Sequence, residues 1–134
     1  MDKTVNNAQE LRAAVEAARG VTSEYVIELA KDIALTDTPL TISANANVVL
    51  ISKGTTAMKL IGPKGMNTIH VAGGGKLVLD GIIVTHASGE LGRGVYVDFS
   101  AALILNSGEI TENNIYTGGV TGDAQYGGGV YIAD

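Results

Sequence analysis

The chain has no cysteine and no tryptophan, and a single phenylalanine and two prolines among 134 residues. Without cysteine there is no disulfide framework and no thiolate metal site. Five tyrosines and the one phenylalanine are its only large aromatic rings, which fits a narrow core of stacked Val, Ile and Leu better than a globule built around bulky rings. Basic charge is sparse too: 9 Lys and Arg stand against 14 Asp and Glu, a net charge of −5. The nearest approach to a basic cluster is Lys59 and Lys64, so a nucleic-acid footprint is excluded. The acidic balance favours solubility. No apolar run reaches the ~18 residues of a membrane span. Met1-Asp2-Lys3 leads into polar residues rather than a leader's apolar segment, so no signal peptide is read at this terminus. Two histidines without an HxH or HxxxH spacing give no metal signature, and no cofactor is expected.

What is present is repetition. Ile69-His70-Val71, Leu77-Val78-Leu79-Asp80 and Val84-Thr85 lie over Val95-Tyr96-Val97, Leu103-Ile104-Leu105-Asn106 and Ile110-Thr111 at an offset of 26 residues without a gap. Leu40-Thr41-Ile42 and Val48-Val49-Leu50 form an earlier copy at offset 29, and Val130-Tyr131-Ile132 opens another. Short alternating strands with a period in the twenties predict a solenoid. The 18 glycines sit mostly between apolar pairs, as turns do.

The predicted architecture is a single all-β domain over 1–134: a parallel β-helix behind an amphipathic cap. Residues 7–20 make the capping helix, residues 25–35 an incomplete first coil, and residues 40–134 the coils, the last incomplete and cut short at Asp134. Asn7 and Glu10 have capping-box spacing. Ala8, Leu11, Val15 and Ala18 fall on one helical face, which is expected to cover the open end of the stacked core. Each full coil is expected to carry three strands with inward pairs such as Ile69/Val71, Leu77/Leu79 and Ile82/Val84. Parallel crossovers predict a right-handed helix.

Three sets of residues are candidates for function. Thr41, His70, Tyr96 and Tyr131 share one outward register. An aromatic stripe there could stack on sugar rings, or its members could simply steady one another across strands. Val49, Val78 and Ile104 form an outward apolar row, read as a self-association face. The loops after the third strand vary most in length, which in repeat proteins marks a binding side. They hold His86, Glu90, Arg93, Glu112, Tyr116, Asp123 and Tyr126. Asp80 and Asn106 fall at matching positions and are expected to form a ladder of turn side chains. Gly73-Gly74-Gly75 and Gly127-Gly128-Gly129 precede strands rather than helices, so they are turn glycines and not phosphate loops.

Gly127-Gly128-Gly129-Val130-Tyr131-Ile132, Arg93-Gly94-Val95-Tyr96-Val97 and the run Leu103 to Asn113 resemble the right-handed parallel β-helix repeats, of pectin-lyase-like fold, in large bacterial adhesin-like surface proteins. The resemblance covers about Leu40 to Asp134, and the leading helix is similar to the cap such domains carry. It implies a non-catalytic extracellular or cell-surface module that gives an extended scaffold and binds glycan or a host surface; the contacts expected from the outward register are His70, Tyr96 and Tyr131. Glu90, Arg93, Tyr116, Asp123 and Tyr126 stand beside them. The alternative it implies is the N-terminal fragment of a polysaccharide lyase or glycoside hydrolase. The hydrolase signatures Asn-Thr-Asp, Gly-His-Gly and Arg-Ile-Lys are absent from the sequence, so no catalytic residue is carried over. Self-association is expected through the open end or the Val49/Val78/Ile104 row.

Overall fold

A computed structural model describes residues 1–114 and 128–133. Strands β1 (Lys3–Val5), β2 (Tyr25–Leu29), β3 (Ile33–Ala34), β4 (Leu40–Ile42), β5 (Asn47–Ser52), β6 (Met58–Ile61), β7 (Ile69–Val71), β8 (Lys76–Thr85), β9 (Val95–Val97), β10 (Ala102–Ile110) and β11 (Val130–Ile132) accompany one helix, α1 (Ala8–Ala17). Every strand pairing is parallel. Together they make a β-solenoid of about four turns.

One sheet stacks first strands in the order β11-β9-β7-β4. The other stacks second and third strands, and β8 runs through both positions to join them. Register follows the repeat: Leu40, Ile69, Val95 and Val130 pair in series, as do Val48, Leu77 and Leu103, and Leu60, Val84 and Ile110. Strand residues alternate in direction, so one residue of each pair set faces the axis. Leu40, Ile42, Leu50, Leu60, Ile69, Val71, Leu77, Leu79, Ile82 and Val84 are completely buried. Burying each such side chain is worth about 1.5–3 kcal/mol, a gain no single coil secures alone.

The corner between first and second strands has the same length in three coils. Asn45, Gly74 and Ser100 occupy its left-handed position, with φ of 62°, 78° and 61°. Ala46, Gly75 and Ala101 N–H groups close it on Ser43, Ala72 and Asp98 carbonyls. Glycine is needed in the middle coil because a Cβ on Gly74 would meet Asn45 Oδ1.

α1 begins where predicted. Asn7 Oδ1 accepts the Glu10 N–H at 2.9 Å, and Glu10 Oε1 accepts the Asn6 N–H at 2.8 Å. The glutamate thus reaches one residue further back than a standard capping box. Leu11, Ala14, Val15 and Ala18 join the solenoid's buried core, so the helix does close that end. Arg12 fixes its orientation, donating to Pro39, Thr36 and Thr38 carbonyls at 3.0, 3.2 and 2.6 Å.

Two details depart from expectation. β1 adds a strand beneath β2, where the sequence reads only as polar. Asn106 is not opposite Asp80: the register shifts between Leu105 and Ser107, so Ser107 faces Asp80 and its Oγ donates to Asp80 Oδ1 at 2.8 Å. The expected Asp80/Asn106 ladder is replaced by a bulge, with Gly108 beyond it at φ 101°. No helix among the described residues is long and apolar enough to cross a membrane.

Candidate functional site

The β4-β7-β9-β11 sheet turns Thr41, His70, Tyr96 and Tyr131 outward. Thr41 pairs His70, His70 pairs Tyr96, and Tyr96 pairs Tyr131. The residues flanking each ring, such as Ile69/Val71 and Val95/Val97, point inward and are buried, which fixes the rings on the solvent side. Tyr96 and Tyr131 stack with centroids 5.2 Å apart and planes 19° from parallel. His70 meets Tyr96 edge-on, at 5.3 Å and 88°. Arg93 places its Cζ 4.9 Å from the Tyr131 centroid, a cation–π contact.

This geometry modifies the expectation of a sugar-stacking stripe. The tyrosines use faces on each other, as stacked aromatic pairs do. Each of the two rings therefore has one face committed to the other.

Asp98 follows two residues after Tyr96 and shares its side of the chain. Its Oδ2 lies 3.5 Å from His70 Nε2, and its Oδ1 accepts the Phe99 N–H at 2.8 Å. His70 Nε2 is shielded from water yet makes no hydrogen bond. Phe99, the chain's only phenylalanine, is 68% exposed. Neither Asp98 nor Phe99 was singled out from sequence. The i, i+2 relation of Asp98 to Tyr96 was the available signal.

Of the predicted residues, His70, Tyr96, Tyr131 and Arg93 come together. Glu90 does not join them. It lines a cleft of about 440 Å³ with Asp37, Pro63, Lys64, Met66 and Ala87, between the loops that follow third strands. Tyr116, Asp123 and Tyr126 lie outside the described residues.

His86 sits in a buried network beneath those loops. It is 2% exposed, with Nδ1 2.7 Å from Asn113 Oδ1 and Nε2 2.7 Å from the Met66 carbonyl. Asn113 Nδ2 donates to the Val84 carbonyl, and Thr68 Oγ1 to the Thr85 carbonyl, each at 3.2 Å. Its slot exists because a Cβ on either Gly62 or Gly92 would press on the His86 ring. The ring thus links loops from three coils and is a structural clasp rather than a solvent-facing base.

Val49 and Val78 stand opposite each other on β5 and β8, with Ile104 next on β10. They lie outside the central core cluster. Val49 and Val78 are only 9% and 7% exposed, Ile104 40%. Val26 on β2 pairs with Val49 and extends the same register. The row becomes accessible only at its β10 end.

Among the described residues no group of three or more His, Cys, Asp or Glu is placed to hold a metal ion. No protein-family model matches the chain, and no curated protein or solved structure matches it either. The fold and this face define a capped parallel β-solenoid that carries an ordered aromatic ladder on one side.

Proposed function

We propose that the chain is a non-catalytic, adhesin-like module of a bacterial surface protein, working outside the cell. In this reading it gives an extended scaffold that binds glycan through the outward face of β4, β7, β9 and β11. A right-handed, pectin-lyase-like form of the helix belongs to the same proposal, supported by the repeat length and the glycine- and asparagine-bearing corners. The observation that carries the reading is the ladder His70–Tyr96–Tyr131, flanked by Arg93 at one edge and Asp98 at the other. A few fixed polar groups beside aromatic surface are what orients a small polar ligand.

The test is incubation with a broad glycan panel, scoring both retention and product mass. Retention of intact glycan, lost in Tyr96→Ala, is expected. Cleaved or unsaturated products would replace this reading with the second one, a fragment of a carbohydrate-active enzyme. That second reading draws on the cleft where Asp37 and Glu90 share a wall with Lys64, since glycoside hydrolysis commonly uses two carboxyl groups.

A further inference from the structure

The ladder's tyrosines each commit one ring face to the other, so a sugar on this side of the sheet gains from a further aromatic face. Phe99 offers one. It occupies the corner after β9. In the two coils beneath, where the Asp98, Ala72 and Ala102, Lys76 amides bond in matching register to Val71, Ile42 and Gly75, Ala46 carbonyls, the equivalent positions are Gly73 and Ala44. Neither carries a side chain large enough to shelter a ring, and Phe99 stays 68% exposed. An exposed phenylalanine contributes nothing to the core, and here it is the only one the chain has.

Beside it, Asp98 is already oriented. The Phe99 N–H holds Oδ1 at 2.8 Å, and Oδ2 faces His70 Nε2 at 3.5 Å. The carboxylate side chain is 42% exposed, so it keeps lone pairs for an incoming donor. His70 Nε2 is itself shielded from water, so the imidazole backs the Asp98 carboxylate and leaves the carboxylate's exposed side to a ligand.

We propose that Phe99 and Asp98, with His70 behind the carboxylate, form a subsite for a neutral pyranose. This rests on the glycan-binding reading and specifies its ligand class. The apolar C–H face of the sugar lies on the Phe99 ring, and ring hydroxyls donate to the Asp98 carboxylate in charge-assisted hydrogen bonds. A uronate is disfavoured there, because a second carboxylate against Asp98 meets like-charge repulsion on a chain whose net charge is already −5. Arg93 is two residues before β9, at the other edge of the sheet face, and directs its charge at the Tyr131 ring.

The experiment is calorimetric titration of the 134-residue chain with neutral gluco-, manno- and galacto-configured oligosaccharides and with uronate oligosaccharides of equal length. The expected result is a neutral series bound about tenfold or more tighter than the uronates, a difference of about 1.4 kcal/mol. Phe99→Ala should weaken neutral binding about tenfold, a loss of about 1.4 kcal/mol. Its melting temperature should stay unchanged, since the ring is exposed. Asp98→Asn should also weaken neutral binding while narrowing the gap to uronates. Preference for uronates, or neutral binding untouched by both substitutions, overturns the subsite and leaves glycan binding standing. Binding to neither series overturns the glycan reading and the subsite with it.

Discussion

Gly92 has a φ of 150°, and a Cβ built on it would collide with His86 Nε2 and the Met66 carbonyl. Both the backbone and the space argue against any other residue. Gly92→Ala should cost about 2–4 kcal/mol, from a strained dihedral and overpacking together, read as a lower urea midpoint. An unchanged midpoint would mean that the His86 clasp is not closed in solution. The sequence shows both residues but not their contact, because Gly62, Met66, His86, Gly92 and Asn113 come from loops of unequal length that align only once the coils stack. By contrast, the outward register of His70, Tyr96 and Tyr131 is readable from alternation alone. The orientation of the rings is not: whether a tyrosine offers its face or its edge depends on the ring in the next coil.

At the scale of the element, α1 acts through its buried face. Leu11 is completely buried over the end of the stack, and Leu11→Ala should destabilise by about 2–5 kcal/mol, measured by thermal or denaturant unfolding. A loss under about 1 kcal/mol would be that of a surface position and would contradict its role as a cap. The helix was legible because amphipathic spacing and an Asn cap are local signals. The three-residue strand β1 was not, since Lys3 and Thr4 are at most half-buried and only Val5 faces the core. Pairing to β2, a contact from more than twenty residues away, makes it a strand. The bulge at Asn106 escaped for a related reason. The ungapped repeat aligns Asn106 with Asp80, but Gly108 adopts a conformation that moves Ser107 into that place.

Across the whole molecule the two ends differ. The α1 end is sealed, while the last coil leaves inward and outward apolar residues in view: Ile104, Leu105 and Ile132 are 40%, 45% and 66% exposed. Their equivalents one coil earlier, Val78, Leu79 and Val97, are 7%, 0% and 2% exposed. Among the described residues no strand pairs the far side of β10, and an open parallel edge templates addition of another chain. Light scattering of this chain should therefore give a mass rising with concentration, and Ile104→Lys with Leu105→Lys should suppress the rise. A concentration-independent monomer would contradict it. The period, strand order and inward pairs of the solenoid were visible in the repeats because stacking imposes one register on every coil. The candidate site was visible only in part, since the sequence marks the ladder but not the Asp98–Phe99 corner beside it.

On the reading proposed above, the β4-β7-β9-β11 face is the working surface. Amide chemical-shift mapping during titration with a panel oligosaccharide tests it most directly. Perturbations are expected to gather on Thr41, His70, Tyr96, Asp98, Phe99 and Tyr131. Perturbations gathered instead on Asp37, Lys64, Met66 and Glu90 would contradict it and move the function to the loop cleft.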